Sequence, residues 1–503
     1  MIDLGDNGFF ANGIDGGTNF SAAELAAIRK VLRQIKLPTT ITDFFAQKST
    51  GNTDTDPMDW DLEVLWLQRA IAQLDKLLIA QVNQILHEPG FQDLERAWRS
   101  LYDLVCYSSG RKLIKVRFLD ITWSEITKDV NRSVEFDQSQ LFQKVYSEEY
   151  DIPGGEPYGV ILLDFEIAHK PFNNHPYNDI STLEHLAEIG AAAFSPMLVN
   201  AAPELFELDD FEQLSYPLNL RQLFNEADYI PWKRFRDHPD TRFMGITLPR
   251  VILRRPYSLT VTPYGSMMFS EQDALAHGDH FLWGYANFAL AKVLIREFAD
   301  VGWFSHIRGV LRDHQAGGLV DSLVTDYFPT DANNLAFKPV VEAVFSDERE
   351  RSLSELGFIP LCQCYDVPMA GFYSTPSVHH SKGYSDKIAN SNAKLSAMLQ
   401  HVLCGSRFAH YIKIMTREMI GSVKRADECQ RQLQSWLNQY VTSQEDSDWF
   451  MQARYPLREA SVEVKEIPEK PGSFWTAIYL RPHYQADRLV SELHLTTEVT
   501  APG

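Results

Sequence analysis

A chain of 503 residues with 12% aromatic side chains can bury a sizeable core in two or three domains. Its 47 basic and 67 acidic residues leave a formal charge of −20, which argues against a nucleic-acid or anionic-membrane binder, since both rely on clustered Lys and Arg. Five scattered cysteines (Cys106, Cys362, Cys364, Cys404 and Cys429) make no disulfide framework and fit a reducing compartment.

The first residues, rich in Gly, Asn and Asp, lack the basic and apolar regions of a secretory signal. No window approaches ~18 consecutive apolar residues, so no integral membrane segment is expected. Ser21 caps a short amphipathic helix, with Glu24 in the capping-box position and Leu25, Ile28, Leu32 and Ile35 on one face. That stripe fits a helix docked on its own domain, and it equally fits a recognition helix laid into a partner's groove.

A polar linker over 48–60 leads to a long helix from Asp61 to Leu86, marked by Leu62, Leu65, Trp66, Ile71, Leu74, Leu78, Val82 and Ile85 and stopped at Pro89. A second helix runs from Phe91 to Tyr107. The alternation from Lys112 to Leu119 predicts a strand with Ile114, Val116 and Phe118 on one face. Helices near Thr122–Asp129 and Ser139–Ser147 then precede a Gly-Gly-Glu-Pro-Tyr-Gly turn (154–159) and a buried strand over 160–165. Strands alternating with helices predict an α/β core.

From Phe194 to Tyr257 the chain is dense in aromatic residues, Pro and Arg. A small-residue helix ends there at Phe194, and Trp232, Phe235 and Arg236 share one helical face. A buried strand over 244–253 is interrupted by Pro249. A helix is predicted from Trp283 to Phe298, a loop-rich passage over 303–330 and a β-α-β passage over 336–372 with Ser346 as helix cap. After a polar break at 373–383 come helices over 388–420 and 426–441. A strand meander ends the chain, with Phe474, Ala477, Ile478 and Leu480 on one strand and Leu489, Leu493 and Leu495 on the next. The expected division is an arm (1–60), an α/β body (61–372) and a C-terminal part (373–503).

Chemistry has few footholds. His277, Asp279 and His280 form the most metal-like cluster, but a glycine lies between them, no HExxH pattern is present and no further ligand can be placed to complete a zinc set. Cys362 and Cys364 read as small apolar side chains, and His379-His380 as a solvated pair. Gly154-Gly155 and Gly317-Gly318 fit no phosphate loop and read as turns needing positive φ. A catalytic residue, cofactor or metal is therefore not expected, and a cytosolic metal-dependent enzyme is the distant alternative.

The 194–257 stretch resembles the large subunit of the type VI secretion contractile sheath, the TssC (VipB) family. The similarity continues in Phe91–Val105, in Gly154–Gly159, in Phe281-Leu-Trp283-Gly284, in Phe328-Pro-Thr-Asp331, in Gly357–Leu361 and in Leu480–Gln485, all in family order. Ser100, Ile152-Pro153 and Cys362-Gln-Cys364 depart from the family pattern.

The resemblance implies a mixed α+β, contractile tail-sheath-like fold: an α/β core, an N-terminal helical arm and a C-terminal strand meander. It implies pairing with the small sheath subunit (TssB/VipA) and with copies of itself in a helical polymer. The other implied partners are the Hcp inner tube, a baseplate and the ClpV AAA+ ATPase. The expected place is the bacterial cytoplasm, in a polymer held by a membrane-attached baseplate. By resemblance, Leu25, Ile28 and Leu32 would meet the ATPase, and the meander residues would take part in strand exchange between subunits. Trp98, Trp232, Phe235, Arg236 and Trp283 are expected in core or partner packing. A phage-tail-like extracellular injection particle is the alternative within the same mechanical class.

Overall fold

The computed structural model describes residues 57–111, 113–150, 152, 154–172, 175–257, 269–271, 281–310, 316–328, 336–419, 426–442, 449–466, 474–483 and 493–499. The chain divides into two units: residues 1–85 with 257–271, and residues 86–256 with 272–503. In the smaller unit the dominant element is the long helix α1 (Pro57–Leu86), as its apolar periodicity predicts. There Asn83 Nδ2 donates to the Ser270 carbonyl (3.5 Å), and the Tyr257 and Phe269 rings lie 6.1 Å apart.

The larger unit opens with α2 (Pro89–Ser108) and α3 (Trp123–Arg132). Thr122 and Glu125 close a reciprocal capping box at the start of α3. Between these helices the chain is irregular, against the strand expected over 112–119. Phe118 is exposed and packs beside Trp98 (6.1 Å), so its apolar alternation serves a contact with α2 rather than a ladder.

Next come β1 (Ile161–Ile167), α4 (Asp179–Ala192), β2 (Met197–Ala201), α5 (Ile230–Asp237), β3 (Met244–Leu248) and β4 (Val251–Ile252). The strand over 244–253 is thus interrupted at Pro249, as expected. The chain continues with β5 (Trp283–Gly284), α6 (Ala286–Val301), β6 (Leu319–Val320), α7 (Asp347–Glu355), β7 (Phe358–Gln363) and β8 (Ala370–Phe372). Helix α6 starts three residues later than Trp283, because Trp283 and Gly284 pair with Ile252 and Val251 as strand.

The main sheet has the order β1-β2-β3-β7-β8-β6, parallel from β1 to β7 and antiparallel beyond. Side-chain alternation sorts its strands onto two cores. Met197, Val199, Met244, Ile246 and Phe358 face one core with α4 and α5, while Leu198, Ile359 and Leu361 face a second with α6. A third core lies under the C-terminal part. It is built by α9 (Leu399–Met419), which follows α8 (Lys387–Ser396), and by α10 (Ala426–Leu437), with α11 (Trp449–Arg454) before the strands. Strands β9 (Leu457–Glu466), β10 (Phe474–Pro482) and β11 (Leu493–Val499) complete it as an antiparallel sheet ordered β11-β10-β9.

A buried polar lock holds the main sheet to α6. The β1–β2 register shifts between Leu162 and Glu166, which turns β1 carbonyls away from the ladder. Asn200 Nδ2 donates to the carbonyls of Leu163 (3.3 Å) and Phe165 (3.2 Å), and Asn287 Nδ2 donates to that of Leu163 (2.9 Å). Asn200 Oδ1 accepts from Thr247 Oγ1 (2.8 Å) and from the Asn287 N–H (3.3 Å).

The glycine pairs divide their labour. Gly154 and Gly317 take the expected positive φ. Gly155 and Gly318 are needed for close approach instead, since a Cβ would stand 2.2 Å from the Glu149 carbonyl oxygen and 2.1 Å from that of Phe372.

Replacing Asn200 with Leu leaves several buried donors and acceptors without partners at once. The expected cost is about 2–3 kcal/mol, read as a lowered urea midpoint at unchanged slope.

Candidate assembly surfaces

Helix α2 is turned inside out. Its inner side carries charge: Glu95 accepts from Arg254 Nε (2.8 Å) and Arg99 Nε (2.7 Å), Arg96 pairs with Asp164 of β1, and Asp103 pairs with Lys292 of α6. The Arg96 guanidinium also lies over the Tyr285 ring, 4.0 Å from its centre. Of these groups Glu95, Arg96, Arg254 and Lys292 are largely buried, so each charge needs its partner. A further pair, Arg250 bidentate on Glu166 (2.6 and 2.8 Å), continues the charged layer along the sheet.

The outer side of α2 is apolar. Phe91, Leu94, Trp98, Tyr102 and Val105, at helical spacing, all face solvent, with Trp98 59% and Tyr102 72% exposed. The first four line a shallow groove of about 350 Å³ together with Glu95 and Arg99. An apolar row of this length on an otherwise ion-paired surface marks an interaction site.

The other expected packing residues go elsewhere. Trp232 (1% exposed), Phe235 and Arg236 do share one face of α5, and that face is buried within the chain. Trp232 stacks on Phe358 (6.2 Å, 8° between planes), and Arg236 Nε donates to the Val378 carbonyl (2.9 Å). Burial pushes the Arg236 guanidinium down to about 10. Trp283 is half-buried beside Phe281 (5.8 Å).

Phe474, Ala477, Ile478 and Leu480 lie on β10, the central strand of the C-terminal sheet, with Ala477, Ile478 and Leu480 buried. Leu493 and Leu495 lie on β11, paired with Leu480 and Ile478. Both ladders of β10 are filled inside the chain. Leu25, Ile28, Leu32 and Leu489 lie outside the described residues, as do His277, Asp279 and His280. Among the described residues no three His, Cys, Asp or Glu side chains are placed to hold a metal ion.

Cys362 and Cys364 are buried, and burial pushes the Cys362 thiol up to about 12, as an apolar role requires. His379 departs from the solvated reading: Nδ1 lies 3.0 Å from the His238 carbonyl, and burial lowers the ring to about 4.

A buried titratable cluster joins α6 to the C-terminal part. Burial raises Glu297 to about 8 and lowers His306 to about 4 and His401 to about 3. His306, His401 and His483 line a small cavity of about 20 Å³ there.

A body with internally paired charges and outward apolar rows belongs to the class of assembly subunits. Two family profiles match in tandem: the EvpB/VC_A0108 tail sheath N-terminal domain over residues 68–379, and the tail sheath gpW/gp25-like domain over residues 388–499. A curated relative, the type VI secretion system sheath protein TssC1 of Pseudomonas aeruginosa, is 36% identical over 436 residues, covering 86% of each chain.

Among solved structures, the sheath tail protein of Desulfitobacterium hafniense aligns at a TM-score of 0.30 and 9% identity, over 67% of this chain and 57% of that one. A chain of the anti-feeding prophage baseplate aligns at 0.32 and 9% identity, over 78% and 80%. The chain belongs to the VipB (EvpB) tail sheath family, and it is a large subunit of a type VI secretion contractile sheath.

Two measurements check the placement of these side chains. Trp232→Ala should cost about 3–5 kcal/mol, whereas Trp98→Ala should change stability by no more than about 0.5 kcal/mol, both from urea unfolding.

The buried cluster sets a pH window. Glu297, raised in the fold, contributes stability that is complete below its unfolded value and lost as pH rises through about 8. His306 and His401, lowered in the fold, lose theirs as pH falls from about 6.5 toward 4 and 3. Thermal stability should therefore peak at about pH 6.5, since below it the two histidines outweigh the carboxyl and above it only the carboxyl acts. Glu297→Gln should flatten the fall in stability above about pH 6.5 in a melting series.

Proposed function

We propose that this subunit pairs with a small sheath subunit and polymerises with its own copies into a helical tubule around an Hcp inner tube. The polymer stands on a baseplate in the bacterial cytoplasm and contracts to drive the tube outward. The observation that carries this reading is the tandem family match from residue 68 to 499, which spans both the α/β body and the C-terminal sheet. Among the described residues no helix is long and apolar enough to cross a membrane.

In this reading the three working parts are an arm (1–60), a body (61–372) and a C-terminal part (373–503). The outward face of α2, centred on Trp98, receives the small subunit. Burying a Leu or aromatic side chain contributes roughly 1.5–3 kcal/mol, so five of them outweigh any exposed ion pair as an adhesive. The sheet of β9–β11 exchanges strands between subunits, and the arm helix of Leu25, Ile28 and Leu32 offers itself to a ClpV-type ATPase after contraction.

No side chain is assigned a catalytic role. Contraction draws on interface gained at every copy, so a few kcal/mol per subunit, summed over a polymer, make the change cooperative.

Co-expression with the small subunit, followed by negative-stain electron microscopy, tests the reading. Hollow tubules should form only with both chains present, and discrete particles in both samples would overturn it. Trp98→Ala combined with Tyr102→Ala should abolish co-purification of the small subunit while the melting temperature holds. Removing residues 1–40 should leave tubules intact and end ATPase binding; lost tubules would contradict the arm's assignment.

A further inference from the structure

The cavity of about 20 Å³ at the joint between α6 and the C-terminal part is lined from four directions. His306 and Arg308 reach it from the segment after α6, Gln400 and His401 from the start of α9, Gln452 from α11, and His483 from the end of β10. Its walls are tied together. Ser305 Oγ donates to the Ala453 carbonyl of α11 (3.3 Å), and the His483 N–H donates to the Pro456 carbonyl at the entry to β9 (3.2 Å). A space of this size takes one water-sized occupant and excludes an ion as large as phosphate.

The polar lining is basic or neutral. Arg308 supplies a permanent charge, and the three imidazoles are groups that take up a proton in the acid range. Gln400 Oε1 accepts from Thr375 Oγ1 (2.9 Å), so the other polar end of that amide is a donor. His483 Nε2 is buried without a hydrogen-bond partner among the described residues. Glu297 of α6 stands beside the cavity, where its Oε1 accepts from the His306 N–H (3.3 Å) and lies 3.7 Å from His306 Nδ1. Burial raises that carboxyl to about 8, with Asp300 on the same helix adding to the rise, so it supplies no counter-charge in the acid range.

The other groups around the rings have the same sign. Burial, then His483 and Arg308, hold His306 down to about 4, and burial followed by Arg308 holds His401 to about 3. Burial lowers His483 too, against a hydrogen bond to Leu457 and with the charge of Arg458 on β9. Cys404 of α9 stays a thiol, since burial pushes it up to about 12. A proton on any of the rings therefore creates a second cation near Arg308 in buried surroundings, which calls for a counter-ion. A monatomic anion, little larger than water, fits the space and cancels that charge.

We propose that this cavity is a halide site, in which one chloride ion enters together with a proton on the His306, His401 and His483 cluster and pins the C-terminal part to the body. Arg308, the protonated ring and the Gln400 side-chain N–H are its donors. Proton and anion arrive as a neutral pair, so the net charge of the joint does not change. With no halide bound, the rings resist protonation and the fold loses stability as pH falls below about 6.5. A bound halide raises the rings and offsets that loss, and at alkaline pH, with the rings neutral, it has no hold.

The test uses the full chain purified with its small subunit, in the unassembled state, melted in sodium chloride, bromide or gluconate at equal ionic strength. At about pH 5.5 chloride and bromide should raise the melting temperature by about 2–4 °C over gluconate, and at about pH 8 the three salts should agree within about 0.5 °C. Equal melting in all three salts at both values would overturn the proposal, and so would a halide effect of the same size at both, which is the mark of surface binding.

Two further measurements locate the site. Crystals grown at about pH 5.5 and soaked in bromide should give an anomalous peak inside the cavity, and a water alone there would overturn the halide assignment. Arg308→Gln should remove the difference between chloride and gluconate while melting in gluconate at about pH 8 stays within a few degrees of the parent. A halide effect that survives this change would overturn the assignment to this cavity; where the variant does not fold, the bromide peak in the parent protein decides.

Discussion

A parallel sheet can leave neither face to water, because its crossover helices must lie against it, and this constraint shapes the larger unit. Strands β2, β3 and β7 are buried on both sides, and their alternate residues feed two separate cores. The register shift in β1 would expose carbonyls in that dry interior, so Asn200, Thr247 and Asn287 answer it with shared hydrogen bonds. The lock ties three strands to the start of α6, and so to Lys292, which holds α2.

From that anchor the outward surfaces follow. Buried charges on α2 find partners on β1, α6 and the segment after β4, so ion pairs take up much of the inner side of the helix. Phe91, Leu94, Trp98, Tyr102 and Val105 therefore remain exposed, on a rigid element set against a rigid sheet. Burial of such a row releases water without breaking an internal ion pair, which suits an interface made and kept by assembly rather than a catalytic cleft.

The C-terminal part solves a different problem. A three-stranded antiparallel sheet has two edges, and an unguarded edge is a site for uncontrolled association. The Trp303, Phe408 and Trp436 aromatic cluster and the α10 leucines fix one face of the sheet, and the glutamines of α10 occupy its β9 edge.

Much of this was legible in the residues themselves. Periodicity marked α1, α2, α9 and α10, and the ordered family motifs marked the sheath subunit, because each signal is local or a fixed string. The shared face of Trp232, Phe235 and Arg236 was also readable from spacing alone. Spacing could not say what that face meets, nor that the similar row on α2 turns outward, because side-chain environment depends on residues such as Phe358 and Asp164, distant in the chain. The alternation over 112–119 failed as a strand for the same reason: a period-2 pattern permits a ladder, and only a neighbouring strand completes one. Whether Gly155 needs a turn or a close contact, and which edge of the last sheet α10 covers, were likewise decided where distant segments meet.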